Sequence, residues 1–400
     1  MYRRALLVSV AASLAGCSLS PESTSTPDST REWSQKGTIE TVGSSWTAQH
    51  GDRARSGTGA QMSEPEMAWS TRLSGSVIQP PSQPLVDGRV VVQARKFSTT
   101  AIDALTGEQA WEVEVPDGER LVKPPSLADG WVYTVSKTAV ARIDLKTGTR
   151  ETIHQFPESV TIRTSPLIVD GAIIVGVHRN TGSQLIVFDH PAASPTTLSA
   201  PAAPRHLAAS PDMIYVRTKN TLFAVDIDSW SVQWTHPRLE SGHLGDVPLV
   251  WNGTVYTGTG DGDFVAVDGT TGAQQWQTQL NGTQSFSPTV LDETLYTTDT
   301  GGTLYQISPD TGAIQATATA EASEDLPGVA SGNIDQSPVV AGNRVLFVAP
   351  DGGLAIASPS ESGLDVRRLP TFEYRAVAPP AVVRGGLFVS AAPLLYGLRA

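Results

Sequence analysis

Short runs of apolar residues, each followed by a turn signal, recur along most of the chain. A typical run is Pro166–Val169, and Asp170-Gly171 follows it directly. Asp-Gly and Asn-Gly suit a two-residue β-hairpin because its central residues adopt positive φ. A strand of alternating polarity comes next, as in Val255–Gly258, and a third strand ends in Asp, as in Phe264–Asp268. With a Thr-Gly turn and a fourth strand, the pattern predicts units of four antiparallel strands.

These units recur at a nearly constant spacing. Their first strands begin at Pro84, Pro125, Pro166, Leu207, Pro248, Pro288, Pro338 and Pro380. Successive starts are 40 or 41 residues apart, except for one interval of 50 and a last interval of 42. A period near 40 residues that is built of strands is typical of propeller blades. The spacing therefore predicts eight blades.

The eighth unit, Pro380–Ala400, contains only three strands before the sequence ends. The segment Glu66–Leu73 resembles the fourth strand of the first unit, Glu108–Val115. Pairing this early segment with the last unit would remove the exposed sheet edges that promote aggregation. We therefore predict an all-β, eight-bladed β-propeller of four-stranded antiparallel blades, with the last blade completed by the N-terminal strand.

A motif recurs between the third and fourth strands of the units. Ala101–Trp111 reads Ala-Ile-Asp-Ala-Leu-Thr-Gly-Glu-Gln-Ala-Trp, and Ala266–Trp276 matches it. Blade two has Thr152 at the Trp position, and blade six has Ser308 and Ala316 in place of Asp and Trp. The motif resembles the tryptophan-docking motif of PQQ-repeat (pyrroloquinoline-quinone-type) propellers, and the resemblance covers roughly residues 44–400.

The motif residues are expected to act structurally. Gly relieves a turn, Asp binds local backbone groups, and Trp fills the wedge between neighbouring blades. The residues assigned to this docking are Trp69, Trp111, Trp234, Trp276, Asp103, Asp144, Asp226, Asp268, Gly107, Gly148, Gly272 and Gly312.

The N-terminus has the layout of an export signal. Arg3-Arg4 precedes an apolar run over 5–15, which is too short to span a bilayer as a helix. Leu14–Cys17 resembles a lipobox, which implies cleavage after residue 16 and acylation of the only cysteine, Cys17. Residues 17–43 are predicted to form a Ser/Thr/Pro-rich tether to a propeller over 44–400. We expect an extracytoplasmic, lipid-anchored protein of the cell envelope; twin-arginine and general secretory export both remain open.

Candidate chemistry is sparse. A quinone dehydrogenase of this superfamily would need a calcium site, a catalytic Asp and usually a vicinal Cys pair, and the chain has one Cys. Asp261-Gly262-Asp263 falls where a hairpin turn is expected rather than a calcium loop, and no metal-binding motif is recognisable among the seven His. We expect no catalytic residue, no metal and no PQQ, although quinone-dependent oxidation stays open.

The charge pattern suggests a binding face. The net charge of −12 argues against nucleic-acid binding. Only six of the 28 basic residues are Lys, and an acidic, Lys-poor composition is typical of adaptation to high salt. Loops that lead into the first strands share one face of a propeller. The candidate face comprises Arg120, Lys123, Arg163, Arg205, His206, His243, Gln284, Phe286, Asp335, Gln336, Tyr374 and Arg375. Its cations could form a funnel for an anionic ligand or acidic segment, or could pair locally and face water.

The lipobox, the eight units and the lack of Cys in the domain resemble the lipoprotein propellers of the BamB type, which serve outer-membrane assembly. This resemblance implies a monomeric, non-catalytic scaffold with protein partners in the cell envelope, whose identity the sequence does not give. A quinone-dependent dehydrogenase and an envelope carrier or sensor of small ligands are the alternatives.

Overall fold

The computed structural model describes residues 38–48, 51–52, 58–60, 64–76, 78, 82–191, 194–237, 239, 247–282, 286–320, 334–361, 363–370 and 372–400. Every regular element over these ranges is a β-strand. Within them, none of the chain forms a helix long and apolar enough to cross a membrane.

The strands of the first four blades follow the chain from the first strand of each blade to the fourth. Blade one contains β4 (Leu85–Asp87), β5 (Val90–Ala94), β6 (Ser98–Asp103) and β7 (Gln109–Glu114). Blade two contains β8 (Ser126–Ala128), β9 (Trp131–Val135), β10 (Ala139–Asp144) and β11 (Arg150–Gln155). Blade three contains β13 (Leu167–Val169), β14 (Ala172–Arg179), β15 (Gly182–Phe188) and β16 (Thr196–Ala200), with β12 (Thr161–Ile162) paired to β14. Blade four contains β17 (Pro204–Ala209), β18 (Met213–Thr218), β19 (Thr221–Asp226) and β20 (Ser231–Pro237).

The remaining blades repeat this order. Blade five contains β21 (Leu249–Trp251), β22 (Thr254–Gly258), β23 (Asp263–Asp268) and β24 (Gln274–Gln279). Blade six contains β25 (Thr289–Leu291), β26 (Thr294–Thr298), β27 (Thr303–Ile307) and β28 (Ile314–Thr319). Blade seven contains β29 (Val339–Ala341), β30 (Arg344–Val348), β31 (Leu354–Ser360) and β32 (Gly363–Arg368). Blade eight contains β33 (Ala381–Val383), β34 (Gly386–Ala391), β35 (Leu394–Arg399) and β3 (Glu66–Arg72).

The N-terminal strand β3 closes the ring, as the sequence predicts. It pairs antiparallel with β35, from Glu66 opposite Arg399 to Arg72 opposite Leu394. The first strands of neighbouring blades contact one another from blade one to blade five and from blade six to blade eight, and β33 of blade eight contacts β4 of blade one. The fold is therefore an eight-bladed all-β propeller whose last blade contains strands from both ends of the folded chain.

The hairpins between first and second strands follow the turn chemistry with one shift. Asp129 and Gly130 have φ of +50° and +75°, and Asn252-Gly253 is similar, as a turn with two positive-φ residues requires. In blade one, however, Asp87 pairs with Val90 and is still part of the strand. The two-residue turn there is Gly88-Arg89, so this Asp-Gly pair begins one residue before the turn.

Two short strands that precede β3 pair with the first strands of two blades. β1 (Ser45–Trp46) pairs with β4, and β2 (Thr58–Gly59) pairs with β29 of blade seven. Trp46 is fully buried in a core cluster that joins blades seven, eight, one and two. Ile39 belongs to the same cluster, and its amide donates to the Leu105 carbonyl at 3.0 Å. The folded part thus begins before the boundary at residue 44 that we expected from composition, because Ile39 finds an apolar site against the ring.

Tryptophan side chains connect successive blades. Trp69 of blade eight donates from Nε1 to the Ala104 carbonyl of blade one at 3.0 Å. Its ring lies so close to Gly107 that a Cβ there would be 2.7 Å from Trp69 Cδ2. The pairs Trp111 with Gly148, Trp234 with Gly272 and Trp276 with Gly312 repeat this arrangement. Each ring therefore packs on the Thr-Gly turn, or its equivalent, of the next blade.

The motif aspartates organise those same turns. Asp268 accepts hydrogen bonds from the Thr270 and Thr271 amides, and the bonds from Thr271 lower its pKa below the ordinary value. At Asp103, burial opposes ionisation, but bonds from Arg89 and two backbone amides outweigh it and lower the pKa. Asp144 and Asp226 bind their turns in the same way, through the backbone amides of Thr147 and Ser229. The carboxylates replace backbone partners that these tight turns lack.

Candidate functional site

The interblade loops and the turns between second and third strands meet on one face of the ring, here called the loop face. The Lys96 amide, in such a turn of blade one, donates to the Ser76 carbonyl at 2.8 Å. The Leu121 amide, in the loop into blade two, donates to the Lys96 carbonyl at 2.8 Å. Backbone bonds thus fix the loops into blades one and two against each other.

A cavity of about 360 Å³ opens where these loops meet the loop into blade three. Four cationic side chains contribute to its wall, and no Asp or Glu is among its lining residues. The cationic side chains are Lys96, Arg120, Lys123 and Arg163. Ile78 and Leu121 belong to its apolar wall and pack with Ala94 in one buried cluster. We call this opening the cationic cavity.

Two of the four cations are available to a ligand. Arg120 and Arg163 are exposed, and over the described ranges neither forms an ion pair with a carboxylate. Lys96 lies with Nζ 5.1 Å from the centroid of the Phe97 ring, a cation–π contact. Lys123 is half-buried. An anion entering the cavity would therefore meet guanidinium groups that no neighbouring carboxylate within the described ranges already neutralises.

A fifth cation lies directly before Lys96 in the chain. Arg95 is only 1% exposed, and within the part of the chain that the structure describes none of its three guanidinium nitrogens has a hydrogen-bond partner. Burial lowers its pKa below the ordinary value. Because charge in a low-dielectric interior is weakly screened, Arg95 adds to the positive potential of this part of the loop face.

Other residues of the predicted face lie outside the cationic cavity. Arg205 is exposed and His206 half-buried, at the start of β17 in blade four. Tyr374 and Arg375 are half-buried in the loop into blade eight. None of these four lines the cavity. The structure therefore brings Arg120, Lys123 and Arg163 together but does not gather all predicted cations into one funnel.

Three predicted face residues are buried, which corrects their assignment. Phe286 is 2% exposed, and its amide and carbonyl bond to Thr298 and Thr297 of β26 in the same blade. Asp335 is 2% exposed and accepts from the Ser337 amide and hydroxyl. Gln336 is 6% exposed. These three side chains are therefore part of the interior of the ring and are not exposed on the loop face.

Some predicted residues fall outside the described part of the chain. These are Cys17 with the signal segment 1–16, and His243 and Gln284 of the candidate face.

Sequence reasoning missed Lys96, Arg95 and Phe97. It considered only the loops that lead into first strands, although turns between second and third strands lie on the same face. The signal was present as Arg95-Lys96-Phe97, two cations and an exposed aromatic residue at a turn of blade one.

The calcium-dependent quinone that the repeat is named for would need a group of metal ligands. Over the described ranges, no three His, Cys, Asp or Glu side chains are grouped so that they could hold a metal ion. Asp261-Gly262-Asp263 forms a tight turn, in which the Thr259 amide donates to the Asp263 carbonyl at 2.7 Å.

Comparisons with known proteins bear on the family. A family model described as outer membrane protein assembly factor BamB matches residues 60–236 and 170–397. The outer membrane protein assembly factor BamB of Moranella endobia is 26% identical over 247 residues, which are 58% of this chain and 62% of that relative. The match thus spans less than two thirds of the relative's length.

Solved structures agree in fold. The crystal structure of BamB from Moraxella catarrhalis superposes with a TM-score of 0.54 at 16% identity, over 79% of this chain and 98% of that one. A europium-containing methanol dehydrogenase superposes with a TM-score of 0.66 at 10% identity, over 89% and 98%. Both likenesses concern the propeller alone. Since the family model matches most of the chain, this chain belongs to the PQQ-repeat family described as outer membrane protein assembly factor BamB.

Proposed function

We propose that this chain is a non-catalytic, protein-binding scaffold of the cell envelope, acting with partners in an outer-membrane assembly machinery. The match of the family model to residues 60–236 and 170–397 carries this proposal. A ring of eight interlocked blades supports it physically, because such a ring holds many loops in fixed relative positions on one face. Rigid presentation lowers the ordering cost of binding.

The proposal includes a lipid anchor at Cys17. The apolar run over 5–15 and the lipobox Leu14–Cys17 support it, and the Ser/Thr/Pro-rich segment that follows supplies a flexible connection. We expect the protein to be exported, acylated and held at the membrane surface as a monomer.

Anchoring is tested with the full chain in a Gram-negative host. Wild type should incorporate an alkyne-tagged palmitate and sediment with membranes, whereas Cys17→Ser should lose the label and enter the soluble envelope fraction. A Ser18→Ala variant serves as the matched control and should behave as wild type. Unlabelled wild-type protein in the soluble fraction would overturn the anchor.

Scaffolding is tested by site-specific photo-cross-linking in the same cells. A photoreactive residue replaces either Arg163 on the loop face or Lys146, which is exposed on the turn between the third and fourth strands of blade two. We expect a discrete adduct with an assembly protein from position 163 and none from position 146. Equal adducts from both positions would contradict a directed loop face.

The alternative, a quinone-dependent dehydrogenase, gives the opposite result in a simple assay. The purified full chain is incubated with PQQ, Ca²⁺, an alcohol panel and a redox dye. We expect no dye reduction above that of a heat-denatured sample. Turnover that requires the native protein would refute the non-catalytic assignment.

A further inference from the structure

The cationic cavity has a neighbouring cavity that contains an exposed aromatic ring. A second cavity, of about 520 Å³, is lined by Phe97, Val115, Pro116 and Lys137 among others, and it shares Arg120 with the first. Phe97 is 49% exposed, the larger exposure of the two large apolar side chains that lie open among the described residues. Exposure of a large aromatic ring to water is unfavourable, so an exposed ring beside a cationic opening indicates a site that a partner covers.

The two cavities differ in the charge of their lining residues. The cationic cavity has no carboxylate in its lining, whereas Glu114, Asp117 and Glu119 line the second cavity. The Glu119 carboxylate already accepts a hydrogen bond from the Thr138 hydroxyl. A uniformly acidic ligand would be repelled at the second cavity, so the preferred ligand carries negative charge at one end and an apolar group at the other.

Charge and shape together favour a peptide over a small anion. Arg120 and Arg163 are exposed, and no ion pair within the described ranges fixes them, so they do not form the rigid, enclosed cage that holds a single phosphate. Inorganic phosphate would also leave Phe97 uncovered. In an extended peptide, side chains two residues apart lie on one face, about 7 Å from each other. Two such carboxylates can reach two separate guanidinium groups.

We propose that the cationic cavity and Phe97 form one docking site for an extended acidic peptide segment of a partner protein. Two alternate Asp or Glu residues occupy the cationic cavity, and an apolar residue of the same segment covers Phe97. This inference rests on the proposed scaffold function, because it assigns the partner chemistry of the loop face. The buried charge of Arg95 strengthens the attraction without contacting the peptide.

The test measures binding of labelled synthetic peptides to the full chain in detergent by fluorescence anisotropy. Each peptide of a four-member panel has two Glu at alternate positions and one Leu, placed two, three, four or five residues away. Matched peptides carry Gln in place of Glu. We expect at least one Glu peptide to bind at least tenfold more tightly than its Gln counterpart, and more weakly as salt screens the charges.

Variants locate the site. Arg163→Glu should weaken binding about tenfold, whereas Arg205→Glu, the same charge change at an exposed position outside the cavity, should change it less than threefold. Phe97→Ser should weaken binding of the Glu peptide and leave its salt dependence unchanged. Thermal unfolding of each variant verifies the fold.

Three outcomes would overturn the site. They are a panel in which no Glu peptide exceeds its Gln counterpart, equal effects of Arg163→Glu and Arg205→Glu, and displacement by inorganic phosphate with no effect of Phe97→Ser. The last outcome would identify a small-anion site instead. If peptide binding fails while envelope cross-linking from the loop face persists, the scaffold function stands and only this site is wrong.

Discussion

The contact between Trp69 and Gly107 permits a sharp test of how the blades interlock. Gly107 has φ of +76°, and a Cβ there would lie 2.7 to 2.8 Å from three atoms of the Trp69 indole. Gly130 has nearly the same φ, +75°, but a Cβ there would meet nothing within 4 Å. Gly130→Ala is therefore the matched control for Gly107→Ala, because the backbone strain is shared and the steric contact is not.

The expected free energies follow from these distances. A non-glycine residue in the left-handed region costs about 1–2 kcal/mol, which both variants bear. Overpacking adds about 1–3 kcal/mol, which only Gly107→Ala bears, because the indole is held by its bond to Ala104 and cannot retreat without losing it. The difference should appear as a lower urea midpoint for Gly107→Ala at unchanged slope.

A double variant isolates the contact. In a Trp69→Ala background the clashing ring is absent, so adding Gly107→Ala should cost no more than Gly130→Ala costs in the wild type. The reasoning is refuted if Gly107→Ala and Gly130→Ala are equally destabilising in the wild type, or if the extra cost of Gly107→Ala persists without the indole.

Three further predictions concern charged and titrating groups. Asp268→Asn should have a lower melting temperature than wild type at pH 7, and the two melting temperatures should converge well below pH 3.8. The lowered pKa of Asp268 stabilises the fold above pH 3.8, the ordinary pKa of the carboxyl, and that stabilisation is lost as the pH falls. An equal difference in melting temperature at both pH values would contradict this. Burial and the Asp299 carboxylate raise the pKa of Tyr305 to about 12, so an ultraviolet titration of Tyr305→Phe should lack one late-ionising phenol, and an unchanged late phase would disprove the assignment. Arg368→Ala should cost about 2–3 kcal/mol in urea unfolding because it removes the charge-assisted hydrogen bonds that the buried Asp351 carboxylate accepts from this guanidinium, whereas Arg399→Ala, at an exposed pair, should cost less than about 1 kcal/mol; similar costs would contradict the role of burial.

The ring and its closure could be predicted because both depend on repeated local chemistry. A closed ring of blades can be predicted without knowledge of distant contacts from three features: a period of about 40 residues, the turn dipeptides, and the isolated Trp-bearing segment Glu66–Leu73. The position of the turn within each hairpin is less predictable, since Asp87 of the Asp-Gly pair in blade one still pairs with Val90 and the turn is Gly88-Arg89. Sequence alone does not distinguish a strand end from a turn start when Asp suits both.

The candidate site was only partly predictable, for a physical reason. Loop position gave Arg120, Lys123 and Arg163, but exposure depends on how each loop packs on its own blade. The Phe286 amide, for example, bonds to Thr298 of the same blade, and its side chain is buried. Arg95 and Phe97 would have required knowing that a second set of turns reaches the same face. Spacing along the chain does not give the depth of a side chain within a loop.

Ring closure by β3 is the claim on which the loop face depends, since Ser76 and Ile78 of the cationic cavity follow this strand directly. Glu66 lies opposite Arg399, at a Cα separation of about 4.5–5.5 Å that a disulfide can span. In a Cys17→Ser background, Glu66→Cys/Arg399→Cys should form an intramolecular disulfide on mild oxidation, read by mass spectrometry of a non-reduced digest. The off-register pair Ser70→Cys/Arg399→Cys should form little. Cross-linking of the off-register pair as readily as the in-register pair, or links only between molecules, would contradict the closed ring.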